Sequence, residues 1–129
     1  MVRIALLGVV IVVLAAGCGG SKSTAYTAAK TQACVATSGG TIGGDLDFVA
    51  QTALGGAFIA HLPDDNFVTV AFGEADEDAA QLQLAYQQFA FPNVKRNISD
   101  VLLRYNNAIT LWHLHPSNND LNVITHCLK

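Results

Sequence analysis

A short apolar run at the N-terminus decides how much of this chain is available to fold as a domain. The run extends from Ile4 to Ala16, contains no charged residue, and follows the single basic residue Arg3. Its 13 residues are too few to cross a membrane core of about 30 Å, which takes about 20 residues. The charge, the length and the small residues that follow are typical of a secretory signal peptide. We therefore predict that residues 1–17 are a signal peptide and that the remainder of the chain builds the fold.

The end of this run forms a more specific pattern. The segment Leu14-Ala15-Ala16-Gly17-Cys18 resembles the lipobox of bacterial lipoproteins, in which small residues precede an obligatory cysteine; Ala15 stands where that family most often has Leu. The resemblance implies that Cys18 is lipidated and becomes the first mature residue. It also implies a lipid-anchored protein on the extracytoplasmic side of the cell membrane or the outer membrane, because multiple acyl chains anchor stably. Residues 18–24 contain Gly and Ser and predict a flexible tether. The alternative is an ordinary secretory signal with a chance cysteine.

The chain has three cysteines, Cys18, Cys34 and Cys127. If Cys18 carries lipid, the other two form an even pair in an oxidising compartment, which predicts a disulfide between them. That bond would close a loop of about 94 residues and stabilise the fold by roughly 4–5 kcal/mol in the chain-entropy model. The alternative is two buried free thiols. No Cys-x-x-Cys spacing occurs, so nothing in the sequence indicates a redox centre.

Composition indicates a single folded domain over residues 25–129. The whole chain of 129 residues is 51% hydrophobic with a net charge of −3, and its length corresponds to one domain. Outside the predicted signal peptide, six Lys and Arg face ten Asp and Glu. This acidic balance argues against a nucleic-acid partner, which requires a basic surface. The apolar content is sufficient for a buried core.

Apolar periodicity and turn residues predict an alternation of helices and strands. The Ala-rich residues 24–38 indicate a helix that ends at Gly39-Gly40, with a strand as the alternative. The other predicted elements are a short strand at 41–42, a helix capped by Asp45, a hairpin of strands 57–62 and 67–73, a helix at 74–91 ended by Pro92, a helical turn at 101–104, a strand at 108–115 and a last helix, begun by Asn119 or Asp120, that carries Cys127. The helix at 74–91 is the clearest, and its apolar stripe consists of Ala79, Leu82, Tyr86 and Phe89.

These elements predict an α+β domain with a small antiparallel sheet and helices packed on it. The order β-α-β-β-α-β resembles the ferredoxin-like sandwich, with an extra terminal helix, if Cys34 or Ile42 lies in its first strand. A resemblance at the level of the fold carries no function.

Four histidines raise the question of a metal site. His113 and His115 lie two residues apart on a predicted strand, so they would share a face, and His61 or His126 would be the third ligand. In a ferredoxin-like order, however, the strands that carry His61 and His115 lie at opposite edges of the sheet. We therefore expect His113 and His115 to be solvated residues near the end of a strand, with no metal and no other cofactor bound.

Catalytic patterns do not occur in the chain. It contains no Gly-x-Ser-x-Gly, no Ser-x-x-Lys and no phosphate-binding glycine loop. The sequence thus predicts a membrane-anchored extracytoplasmic lipoprotein whose domain has a non-catalytic binding or structural role in the envelope. The alternative is a metal-binding or metal-dependent envelope protein that uses His113 and His115.

Overall fold

The structure, a computed structural model, describes residues 25–129. The predicted signal peptide, the lipidation site Cys18 and the tether lie outside these residues. No helix within the described range is long and apolar enough to cross a membrane. In chain order the elements are α1 (Ala28–Thr37), β1 (Thr41–Ile42), α2 (Phe48–Gln51), β2 (Ala57–Leu62), β3 (Asn66–Phe72), α3 (Asp76–Phe89), α4 (Pro92–Lys95), α5 (Ile98–Val101), β4 (Leu102–Tyr105), β5 (Ala108–Trp112) and α6 (Asn118–Cys127).

The strands of residues 25–129 form one antiparallel sheet in the order β1-β2-β3-β5-β4. The predicted hairpin is present as β2 and β3, whose register pairs Ala57 with Ala71 and Leu62 with Asn66. Its turn places Asp65 at φ 57°, a left-handed conformation that the short polar Asp side chain tolerates. The predicted α+β class, with a small antiparallel sheet and packed helices, is confirmed.

The order of the strands shows that the sheet does not have the ferredoxin-like topology. In that sandwich each of two β-α-β units has another strand inserted between its own strands. Here β3 and β4 are separated by β5 and therefore run parallel, but β1 and β2 are direct antiparallel neighbours that pair Thr41 with His61. The four residues of α2 span about 6 Å, whereas a strand of six residues spans about 20 Å. Since α2 is too short to carry the chain back along the length of the sheet, β2 runs directly beside β1 in the opposite direction.

One face of the sheet is covered by α1 and α6. Val70 and Phe72 of β3 point to this face and pack with Val35 of α1 and Ile124 of α6 in one buried cluster. All four side chains are completely buried. Alternate residues of β2 and β5 complete the cluster, so the two terminal helices of the domain form a layer on the sheet.

A disulfide joins the two helices of this layer. Cys34 of α1 bonds Cys127 of α6 across 93 residues of sequence, with their Cα atoms 5.3 Å apart. The predicted pairing is therefore present, and the segment around Cys34 is a helix. Cys127 belongs to the buried cluster itself, with 1% of its surface exposed.

The opposite face of the sheet is covered by α2 and α3, but only in part. Ala79 and Leu82 of α3 pack with Ala71 and Ile109 of the sheet in a second buried cluster. Leu111, the next residue of β5 on the same face as Ile109, is only half-buried. The end of the sheet that α3 does not reach is the region where the candidate site lies.

Several element boundaries differ from the sequence predictions. The helix expected after Asp45 begins at Phe48, because the carboxylate of Asp47 accepts the Ala50 N–H and caps α2. Residues 102–105 form strand β4 instead of continuing a helical turn, because their backbone pairs with β5 over the full length of β4. The last helix begins after Ser117, whose hydroxyl accepts the Asp120 N–H.

Candidate functional site

Three exposed phenylalanines lie on one side of the domain. Phe48, Phe89 and Phe91 are 73%, 62% and 74% exposed, although aromatic side chains normally contribute most of their area to a core or an interface. Phe48 is the first residue of α2, Phe89 is the last residue of α3, and Phe91 directly precedes α4. All three border the same groove.

This groove, here called the aromatic groove, has a volume of about 270 Å³ and lies between α2, the end of α3, α4 and β5. Apart from the three phenylalanines, its hydrocarbon lining comes from Val49, Ala90, Val94 and Leu111. Asp47 and Tyr86 are the two lining residues that have polar side chains. A concave, mostly apolar surface with a few polar groups is the usual form of a small-molecule site.

The sequence around Pro92 shapes one side of the groove. The helix α3 ends at Phe89, and Ala90 and Phe91 then adopt an extended backbone before Pro92 begins α4. Proline disfavours a helical conformation in the residue before it and lacks the N–H that would continue a helix. Phe91 therefore lies in a two-residue connection between helices, where its side chain has no helix face to pack on.

The carboxylate of Asp47 has two roles at the groove. Its Oδ1 accepts the Ala50 N–H at 2.8 Å and so caps α2. Both carboxylate oxygens also accept the Tyr86 hydroxyl, at 3.1 Å from Oδ1 and 2.9 Å from Oδ2. The two donors are neutral, so these bonds satisfy the carboxylate geometrically without offsetting its charge.

Tyr86 joins α3 to α2 through this bond. Its side chain is 2% exposed. Burial raises the pKa of the Tyr86 phenol well above its ordinary value, and the negative charge of Asp47 and the hydrogen bond to it raise the pKa further. The phenol therefore remains a hydrogen-bond donor throughout the physiological range. With one fixed carboxylate, one protonated phenol and hydrocarbon elsewhere, the aromatic groove has the chemistry of a binding site.

The histidines considered as metal ligands occupy the neighbouring end of the sheet. His113 stacks on the ring of Phe67, with centroids 4.4 Å apart and planes 15° apart, and His61 lies against the same ring at 5.6 Å. The expectation that the strands of His61 and His115 lie at opposite edges is wrong, because β2 and β5 both pair with β3. The ferredoxin-like order from which it was taken is not the order of this sheet.

His113 and His115 both line a second recess, of about 320 Å³. They follow strand β5, which ends at Trp112, so neither lies on the strand itself. Asp100 and Val94 also line this recess, and Val94 is shared with the aromatic groove. Within residues 25–129 no group of three or more His, Cys, Asp or Glu is placed to hold a metal ion.

The fourth histidine is on the other face of the sheet. His126 of α6 hydrogen-bonds through Nδ1 to the Asn122 carbonyl at 2.9 Å, and it lies beside the Cys34–Cys127 disulfide. It is therefore remote from the other three histidines and joins no cluster with them.

The pattern of apolar residues in the sequence does not reveal the aromatic groove. It placed Phe89 on the apolar stripe of α3 with Ala79, Leu82 and Tyr86, but only the last three are buried. The stripe predicts a buried Phe89 because helical spacing does not reveal whether another element packs over the last turn of a helix. One signal was present: two phenylalanines flank Ala90 directly before a proline, where helix packing can no longer bury them.

Comparisons with protein-family models, with curated proteins and with solved structures find no match for this chain. The geometry of the aromatic groove is therefore the basis on which a function is assigned.

Proposed function

We propose that the protein is a lipid-anchored binding protein on the extracytoplasmic side of a bacterial membrane, and that the aromatic groove takes the apolar part of a small molecule. The anchor is supported by the lipobox resemblance that ends at Cys18. The binding role is carried by one observation, the gathering of three exposed phenylalanines around a single groove. Exposed apolar side chains that are scattered need no explanation, whereas a concave apolar patch marks a binding surface.

Covering the phenylalanines supplies the driving force for binding. A Phe side chain buries roughly 200 Å² when it is fully covered, and each of these is at least 62% exposed. A ligand that covers half of the exposed area removes about 200 Å² of apolar surface from water, which is worth about 5 kcal/mol before the cost of association. This gain offsets the lower part of the association cost, which is about 4–15 kcal/mol, and the apolar surface that the ligand itself buries adds to the gain, so the net binding is reversible.

The groove is distant from the point where the chain enters the domain. The Tyr26 N–H donates to Oδ1 of Asn107, whose carbonyl accepts the Gly73 N–H, so the chain enters beside the end of β3. From there α3 runs 14 residues to Phe89, a distance of about 20 Å. A lipid anchor on the N-terminal side of Tyr26 therefore favours presentation of the aromatic groove away from the attachment point.

The alternative function, metal binding through His113 and His115, has no such support. The contacts of His113 in the described part of the chain are with an aromatic ring and not with further ligands. The expected partner remains the membrane, contacted through the lipid anchor. The acidic composition gives no support for nucleic acid as a partner.

Binding of the neutral fluorescent probe N-phenyl-1-naphthylamine to the processed protein tests the groove. We expect saturable binding that weakens by about tenfold or more in Phe91→Ser, since about 1.4 kcal/mol corresponds to a factor of ten. Leu84→Ser is the matched control, because Leu84 is 57% exposed on the neighbouring helix α3 but does not line the groove. An equal loss in both variants, or no saturable binding by the wild type, contradicts the proposal.

Light scattering separates ligand binding from self-association. If a second copy of the chain covers the groove, the wild type is a dimer that Phe91→Ser converts to a monomer. That result would show that the groove is a dimer interface and would contradict the proposed function. We expect a monomer for both proteins.

Membrane fractionation tests the anchor. Cys18→Ser is expected to release the protein from the membrane fraction or to leave it unprocessed, because the proposed anchor is the lipid on Cys18 and none of the described helices is long and apolar enough to cross a membrane. A Ser variant that is cleaved and still membrane-bound contradicts the lipobox resemblance.

A further inference from the structure

The negative charge of Asp47 is the feature of the aromatic groove that a purely apolar ligand leaves unused. Asp47 is one of the lining residues, and the hydrogen bonds to its carboxylate come from the Ala50 N–H and the Tyr86 hydroxyl, which carry no charge. Lys95 of the neighbouring helix α4 is engaged elsewhere, since its Nζ donates to the Gln88 carbonyl at 3.2 Å. Because the groove wall is otherwise hydrocarbon, water screens this charge less than it would at an open surface.

The other walls of the groove favour the same sign of charge in a ligand. Phe48, Phe89 and Phe91 present aromatic rings to the groove, and the face of such a ring attracts a cation through its quadrupole. A carboxylate and several aromatic rings around one small cavity are the elements from which sites for organic ammonium groups are built. An anionic ligand would meet repulsion from both kinds of group.

We propose that the aromatic groove binds a quaternary ammonium group attached to an apolar body; this inference rests on the proposed binding function of the groove. A primary ammonium or a guanidinium carries several N–H donors, and each donor that lacks an acceptor is costly to bury. The groove offers them the free lone pairs of Asp47 and little else that is polar. A quaternary ammonium has no N–H to satisfy, and its methyl groups pack on the phenylalanine rings while its charge faces the carboxylate.

The charge selectivity is measurable with a matched pair of probes. Phenyltrimethylammonium and tert-butylbenzene have nearly the same shape and differ by the positive nitrogen that replaces a carbon. Each is titrated against N-phenyl-1-naphthylamine bound to the processed protein, and displacement gives its affinity. We expect the cation to bind at least tenfold more tightly than the neutral probe at neutral pH, and benzylammonium, a primary ammonium that stays protonated there, to bind more weakly than phenyltrimethylammonium.

Two variants test whether Asp47 causes the preference for the cationic probe. Asp47→Asn keeps a side-chain oxygen for the Ala50 N–H and the Tyr86 hydroxyl while it removes the charge, so phenyltrimethylammonium should lose its advantage over tert-butylbenzene. Asp45→Asn removes a nearby exposed charge that does not line the groove, and it should leave the tenfold preference intact.

The outcomes distinguish this inference from the proposed function. If tert-butylbenzene and phenyltrimethylammonium bind the wild type equally, the cation inference is wrong and the apolar binding function stands. A preference that survives Asp47→Asn also contradicts it. If neither probe nor the fluorophore binds, the proposed function itself fails. Because the comparison of the two probes uses the wild type, it decides the question even if Asp47→Asn does not fold.

Discussion

Removal of the Cys34–Cys127 disulfide is expected to lower the free energy of unfolding by about 4.5 kcal/mol. The bond closes a loop with a sequence separation of 93 residues, and the chain-entropy model gives about 4.7 kcal/mol for a loop of about 100 residues. Most of this effect acts on the unfolded chain, which gains freedom once the bond is gone. For a domain of about 100 residues the entropy of unfolding is about 0.2 kcal/mol/K, so Tm should fall by about 20 °C.

The variants Cys34→Ala and Cys34→Ala/Cys127→Ala separate the cross-link from the packing. Either one breaks the bond, so the double variant should lose only slightly more stability than the single variant. The small additional loss comes from the sulfur of Cys127, which is 1% exposed in the cluster between α1, α6 and the sheet. Removal of one buried atom of this size costs about 1 kcal/mol.

Urea and thermal unfolding, followed by far-UV circular dichroism with and without reductant, measure both quantities. The m-value should rise when the bond is broken, because an unfolded chain without a cross-link exposes more surface. The native spectrum should remain unchanged. A wild type whose Tm falls by only a few degrees in reductant would refute this account and would mean that the unfolded chain is already compact.

Three further substitutions test other contacts by chemical denaturation. Asn107→Ala should lower the free energy of unfolding by about 3 kcal/mol. The buried amide of Asn107 makes hydrogen bonds with the Tyr26 N–H, the Tyr26 carbonyl and the Gly73 carbonyl, and its removal leaves these groups without partners. A loss below 1 kcal/mol would contradict this. Tyr86→Phe should cost about 1.5 kcal/mol, the lower range for a hydrogen bond to a charged acceptor, since water reaches Asp47; an unchanged denaturation midpoint would show that the bond contributes nothing. Burial, and secondarily the charge of Asp64, raises the pKa of Asp120 above its ordinary 3.8, so the folded state holds this proton more tightly and stability should fall as pH rises above about 4. Asp120→Asn should remove this part of the pH dependence, and parallel pH profiles for variant and wild type would count against it.

The sequence was informative wherever a local rule determines the outcome. The hairpin was predictable because Pro63-Asp64-Asp65-Asn66 is a turn cluster between two alternating runs. The disulfide was predictable because, once Cys18 is taken as lipidated in an exported chain, the other two cysteines leave one pairing. Neither inference depends on how distant elements pack.

The aromatic groove required tertiary information. Its walls come from α2, from the end of α3 and from β5, which are separated by tens of residues. An apolar periodicity indicates which residues prefer burial, but it does not say whether another element arrives to cover them. For the same reason residues 101–104 were predicted as a helical turn: residues 102–105 become strand β4 through pairing with β5, and local propensity is a weak guide to structure where such pairing decides.

The position of the disulfide also sets how the domain responds to mechanical load. A pull on the chain from the N-terminal side of Ala25 acts first on the contacts of Tyr26 and on the start of α1. Peeling proceeds to Cys34 and stops there, because the covalent bond transfers the load to α6. At most the residues from Ala25 to Ala33 are drawn out, which adds about 30 Å of reach. If the chain is anchored on its N-terminal side as proposed, load on the anchor therefore lengthens the connection while the sheet and the aromatic groove stay folded.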